Sequence, residues 1–141
     1  MENKNNVAQV YCRSLPISAK MSMEICGAIR NMELTKAKRI LQDVVDMKRA
    51  LPFRKFNADL SHKPGMAAGR YPISTSKVFL KLLNSVEMNA GNKGLNVNNL
   101  VINFAKADRA ETRWRSGRKG RVQMKSTHVK IIVGEKTAEK K

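Results

Sequence analysis

The sequence predicts an α+β fold, with three helices packed on a small antiparallel sheet and a long protruding β-hairpin. Three observations carry that reading. Apolar residues recur at helical spacing in three separate stretches before Gly94. Beyond Gly94 the period shortens to two. Two β-patterned segments then bracket a basic run that is broken by glycines.

The elements follow in chain order. "VAQVYCR", residues 7–13, is short and β-prone and reads as an opening strand, with Pro16 beyond it. Ser18 stands where an N-cap belongs, its hydroxyl able to accept from a free N–H of the first turn. Met21, Ile25, Ala28, Ile29 and Met32 mark the first helix. Ala37, Ile40, Leu41, Val44, Lys48 and Leu51 mark the second, with Pro52 as its stop. The third is predicted from Ser74 to Asn89, with Phe79, Leu82, Leu83, Val86 and Ala90 on one face and Gly91 and Gly94 ending it. Methionines on these stripes are gap-fillers of a core.

"LVINFAKA" (100–107) and "HVKIIVGE" (128–135) are the arms of the hairpin, the second placing Val129, Ile131 and Val133 on one face. Gly117 and Gly120 centre the polar, basic segment between them. If the ladder runs almost to the tip, each arm has roughly a dozen residues and a length on the order of 40 Å. A two-stranded ribbon of that size is marginal alone in water, so its outer half needs an external partner to be ordered. The predicted division is a globular domain of residues 1–99 and 127–141, carrying a basic loop at 52–73, and an arm at 100–126.

Composition narrows the function. At 141 residues there is room for one domain, and a 42% apolar content makes a core feasible. Against 28 Lys and Arg stand 11 Asp and Glu, a net charge of +17 that favours a polyanionic partner. No apolar run approaches a bilayer span, and "MENKNNVAQV" lacks the apolar core of a signal peptide. A membrane-surface role would need an amphipathic helix with a cationic polar face, which is missing. Cys12 and Cys26 have no CxxC partner and read as buried or half-buried thiols in a reducing cytosol. Acids are sparse, no nucleophile, base and orienter form a motif, and the glycines fit neither a Walker nor a dinucleotide fingerprint. No enzyme and no cofactor is expected; any bound Mg²⁺ would belong to a nucleic acid.

The densest charge is "RWRSGRKGR", residues 113–121, and no acid interrupts the chain from Arg113 through Lys125. Such a run cannot enter a core, because an unpaired buried charge costs several kcal/mol. Trp114 between two arginines suits stacking on a base, and arginine's fork suits phosphate. If about six cations displace counterions, log affinity falls against log salt with a slope of about −5 on the duplex-DNA coefficient. The stretch "PFRKFNADLSHKPGMAAGRYP" (52–72) reads as a long irregular loop with Arg54, Lys55, Lys63 and Arg70 among Phe53, Phe56, His62 and Tyr71, a mixture that fits phosphates and unstacked bases. His62 and His128 read as RNA or backbone hydrogen-bonding groups. The basic density lies in a hairpin and a loop and not on a short recognition helix, which favours RNA over a DNA groove. The tail "KTAEKK" reads as solvated.

Several of these features resemble one family. The order strand, "PISAK", three helices and basic hairpin is similar to the universal large-subunit ribosomal protein L-twenty-two family, called L-seventeen in eukaryotes, over residues 7–135. The most specific piece is Gly117-Arg118, nine residues, then His128-Val129 with Ile131 and Val133 in alternation; "NAGNKGL" (89–95) is a second. The insertion "PFRKFN…HKPGMAAGRYP" resembles the archaeal branch.

The resemblance implies a cytoplasmic structural component of the large ribosomal subunit. It would bind several rRNA domains, its globular part near the exit side and its hairpin reaching inward to line the polypeptide exit tunnel. Partners would be rRNA, neighbouring ribosomal proteins and the nascent polypeptide, with no membrane. By position, Arg109, Arg113, Arg115, Arg118, Lys119 and Arg121 would engage rRNA along the hairpin, and Arg13 and Lys20 would do so at the strand-to-helix turn. Trp114, Arg115, Ser116, Gly117, Arg118 and Lys119 would lie nearest the nascent chain. Arg54, Lys55, His62, Lys63, Arg70, Lys77, Trp114, Lys125 and His128 complete the predicted RNA-binding set. The alternative is a free RNA chaperone or other charge-driven nucleic-acid binder.

Overall fold

A computed structural model describes residues 7–136. All of the predicted tail but Lys136 lies outside them. Three helices lie against one face of a three-stranded antiparallel sheet, as the periodicity predicts. The sheet order is β1 (Val7–Leu15), β6 (Thr127–Glu135), β5 (Leu100–Arg109), so the last of the described strands sits in the centre. Central placement explains the composition of β6: Thr127, Val129, Ile131 and Val133 are fully buried, each apolar side chain worth about 1.5–3 kcal/mol. Ala8 and Val10 of β1 and Leu100, Ile102, Ala105 and Ala107 of β5 join them on that face.

Helix α1 (Ala19–Ile29) covers β5, α3 (Ile73–Asn92) covers β1, and α2 (Leu34–Val45) packs on α3. Ser18 is the N-cap of α1 by backbone geometry, but its side chain caps nothing; its carbonyl accepts from the Ser22 N–H and hydroxyl instead. The predicted stripe of α1 is rotated: Ile25 and Ile29 are buried with Ser22, Glu24 and Cys26, while Met21, Ala28 and Met32 are half-buried.

Helix α2 stops at Val45, well short of Pro52. Met47 adopts a left-handed conformation at φ 59°, the Lys48 N–H donates to the Asp43 carbonyl at 2.8 Å, and the Met47 N–H donates to Val44 at 3.2 Å. That is a Schellman end, and it overrides a stripe that continued in sequence. Lys48 is therefore exposed, and Leu51 is buried from a strand. Helix α3 ends in the same way at Gly94 (φ 73°), whereas Gly91 remains inside the helix.

Residues 52–72, expected to be irregular, hold most of a second small sheet of order β2 (Leu51–Pro52), β4 (Met66–Arg70), β3 (His62–Lys63). Pro64 and Gly65 join β3 to β4. Gly65 has φ 73°, the conformation the third residue of a type II turn requires.

Ladder pairing between β5 and β6 ends at Arg109↔Thr127, shorter than the dozen residues per arm allowed for. Four residues, 110–113, then face three, 124–126, so regular register is lost. Farther out the strands are joined by a single bridge, Trp114↔Gln123, with the Arg115 N–H donating to the Val122 carbonyl at 2.9 Å. A 3-10 turn, Gly117–Lys119, closes the tip. Residues 111–125 are exposed throughout.

Candidate nucleic-acid interface

The centre of the site is built around a residue that composition did not single out. Glu24 projects from α1 and is buried, and its carboxylate accepts from three successive backbone N–H groups: Arg54 at 3.2 Å, Lys55 at 2.8 Å and Phe56 at 2.8 Å. Charged acceptors make strong hydrogen bonds, and these lock the basic loop onto the helix. The one local signal is a lone acid inside the otherwise apolar "MEIC". Phe53 enters the core, so it is no free ring for a base.

Holding the loop there brings distant cations together. Lys20 at the start of α1, Lys55 in the loop, Arg70 at the end of β4, Arg109 at the end of β5 and Lys125 at the arm's root line one cleft of about 740 Å³. Among the described residues Asp59 is the sole acid on its wall. Phe56 is half-buried between two ammonium groups, the Nζ of Lys20 5.8 Å and that of Lys55 5.7 Å from its ring centroid. Cations beside an aromatic face, at the mouth of a cleft, fit phosphate and a flat base at once.

The other predicted residues fall elsewhere. Arg113, Trp114, Arg115, Arg118, Lys119 and Arg121 lie on the arm, where a shallow hollow is lined by Trp114, Arg115, Ser116, Arg118, Lys119 and Met124. His62 and Lys63 are on the outer strand of the small sheet, with the Lys63 Nζ 5.8 Å from the Tyr71 ring centroid. Arg54 is exposed beside the Glu24 anchor, and Lys77 is exposed on α3 away from the cleft. Arg13 and His128 belong to the face of the main sheet that, among the described residues, no other element covers. There the Arg13 guanidinium lies 5.4 Å from the Tyr11 ring centroid, and the Nδ1 of His128 accepts from the Ser14 N–H at 3.1 Å.

Acids of the body pair with other cations. Among the described residues the salt bridges join Lys36 and Lys136 to Glu33, Lys38 to Glu87, Lys48 to Asp46 and Lys106 to Asp108. None involves a predicted RNA-binding residue, so among the described residues the cations of the cleft and arm have no ion-pair partner. Among the described residues, no three His, Cys, Asp or Glu side chains cluster as metal ligands would, and no helix is long and apolar enough to cross a membrane.

A family profile described as Ribosomal protein L22p/L17e matches residues 10–134, nearly all of this fold. The chain belongs to that family. It is thus a ribosomal protein with a structural, non-enzymatic role. Several archaeal curated relatives carry the name large ribosomal subunit protein uL22. One from Methanoculleus marisnigri is 46% identical over 73% of this chain and 69% of its own length. One from Archaeoglobus fulgidus is 42% identical over 77% of this chain and 72% of its own. One from Staphylothermus marinus is 35% identical over 96% of this chain and 93% of its own.

Proposed function

We propose that the chain is a structural constituent of the large ribosomal subunit that binds and stabilises its rRNA, with the arm helping to line the polypeptide exit tunnel. The observation that carries the RNA reading is the cleft at the arm's root, where five cations from five separate segments converge and, among the described residues, none is paired with a carboxylate. Self-repulsion makes such a cluster unfavourable in an isolated protein, and a phosphate backbone offsets it. The tunnel reading is supported by the arm: residues 111–125 are exposed, basic and built around a tight tip, a form suited to a narrow space between RNA helices. Neighbouring ribosomal proteins and the nascent polypeptide are the further partners of this reading.

Charge reversal of Arg113, Arg115 and Arg118 to Glu tests it. Wild-type chain is expected to sediment with large subunits through a high-salt gradient, and the variant to assemble poorly while its helical circular dichroism is unchanged. Wild-type chain found at the top of that gradient would favour a free, charge-driven RNA binder. A photo-crosslinker at Ser116 separates the tunnel role from RNA binding: in translating particles it is expected to label nascent chains, and labelling of rRNA alone would remove the tunnel from the proposal.

A further inference from the structure

The uncovered face of the main sheet lies apart from the cleft and the arm. Its side chains form three rows across the strands. One is Gln9, Ile132 and Phe104, the next Tyr11, Lys130 and Lys106, and the last His128 and Asp108, beside which Arg13 folds over Tyr11. None of these side chains is buried, with Tyr11 50% and Phe104 39% exposed. From this arrangement we infer that the face is a second RNA site, a platform on which unpaired nucleotides stack.

Two irregularities shape this face: one turns a ring outward, and the other gathers side chains at its corner. Leu100 and Ile102 alternate inward, and regular alternation would send Phe104 inward too. The register shift between Ile102 and Phe104 turns it to the open face instead, and Ala105 takes the buried position. The second irregularity lies between Cys12 and Leu15, where Ser14 is held at φ 52°. Its N–H is satisfied by the His128 ring, whose centroid stands 6.2 Å from that of Tyr11. Side chains rather than ladder partners thus complete this strained corner, and Tyr11, Arg13 and His128 are gathered there. Tyr11 and Phe104 are on outer strands two spacings apart, on the order of 10 Å, so each would take a different base.

Charge decides the class of partner. A protein partner would ask for a patch whose centre is depleted of charge. Here Lys130 occupies the central strand between Tyr11 and Lys106, and Arg13 flanks the row. Lys106 is paired with Asp108 at 3.1 Å, which leaves Lys130 and Arg13 as the cations of the face. Aromatic rings interleaved with such cations on an open antiparallel sheet fit single-stranded RNA, bases on the rings and phosphates on Lys130 and Arg13.

This inference rests on the RNA-binding reading above, and one set of measurements tells their failures apart. The purified full-length chain, freed of nucleic acid, is titrated with end-labelled oligoadenylate and with an RNA duplex of equal length, followed by fluorescence anisotropy. Tyr11→Ala combined with Phe104→Ala is expected to weaken oligoadenylate binding by about tenfold or more and duplex binding far less. Tyr11→Phe is expected to keep wild-type affinity. Lys130→Gln, which leaves both rings in place, should reduce the single-strand salt slope by about 0.7. Unchanged oligoadenylate affinity in the folded double variant overturns the platform and leaves the cleft and arm untouched. If that variant loses its circular dichroism, Lys130→Gln decides: an unchanged salt slope overturns the platform equally. Wild-type chain that binds neither RNA overturns both readings. Crosslinks from position 11 to protein alone, in native particles, would assign the face to a protein neighbour and overturn the platform.

Discussion

The inner and outer halves of one hairpin obey opposite rules. In the inner half, Leu100, Ile102, Ala105 and Ala107 face Val129, Ile131 and Val133 under the helices, and the ladder is continuous apart from one bulge. In the outer half, from Ala110 to Ser126, a single bridge and a few backbone hydrogen bonds join strands whose side chains point into water. The inner half takes its order from burial, which the chain supplies itself. The outer half concentrates cations that only an external anion can balance. A single pair of strands is therefore a structural sheet at one end and, on the function proposed above, a binding arm at the other.

The largest effect should come from the inner half. Ile131→Ala removes a fully buried side chain from the central strand and is expected to cost about 2–5 kcal/mol, read as a lower urea midpoint. Arg115→Ala, in the outer half, should move that midpoint by less than about 0.5 kcal/mol. Equal effects would show that the arm is part of the folding unit and erase the contrast. Glu24→Ala comes next. It strands three backbone N–H groups, so stability should fall by about 1–3 kcal/mol, and amide exchange in residues 53–57 should accelerate before that of α3 or β6. RNA affinity should fall with it, because the wall that carries Lys55 and Phe56 is released.

The two helix ends sharpen the contrast on the side of the body. Both α2 and α3 end with a left-handed residue, Met47 in one and Gly94 in the other. A side chain at that conformation costs about 1 kcal/mol, so Met47→Gly is expected to stabilise the chain by up to that amount, measured as a raised midpoint with RNA affinity unchanged. Met47 is 59% exposed, so little packing is lost. A destabilised Met47→Gly would mean that its thioether has a role in the body that burial does not reveal.

How much of this was legible in sequence follows the same division. Alternation in β6 and the stripe of α3 were readable because burial selects side chains locally: Val129, Ile131, Val133, Phe79, Leu82, Leu83 and Val86 are core residues where the pattern places them. The stop of α2 was not, because its stripe ran on through Lys48 and Leu51 and the residue that ends it is a methionine, not a glycine. The small sheet was hidden by short strands, although "KPGM" carried a turn signal. For the candidate site, arginine density located the arm, residue type picked out Lys55, Arg70 and Lys125, and the family resemblance added Lys20 and Arg109. Their convergence on one cleft depends on Glu24 binding backbone N–H groups about thirty residues away, an interaction that leaves no side-chain pattern to read. Phe104 faces outward only because of a bulge, which alternation misses.

The smallest expected effect concerns pH and sets two cysteines of the body against each other. Cys26 is buried against the core, and burial, partly offset by the Arg30 guanidinium and reinforced by Asp108, pushes its thiol up to about 12. An unfolded chain would ionise that thiol near the ordinary value of 9.0, so above it the unfolded state holds fewer protons than the folded state. Stability from this group is thus complete below about pH 8, declines as pH rises through 9, and continues to decline towards 12, with a loss of roughly half a kcal/mol by pH 9. Replacing Cys26 with Ala should flatten the alkaline limb of stability between pH 8 and 9.5 by roughly 0.8 kcal/mol, and replacing Cys12, which is only half-buried, provides the control. The same burial predicts slow alkylation: iodoacetamide should modify Cys12 in the native chain well before Cys26, and the two rates should converge in urea. Equal native rates would mean that the α1–β5 interface opens readily, and that burial in the body protects less than the closed sheet indicates.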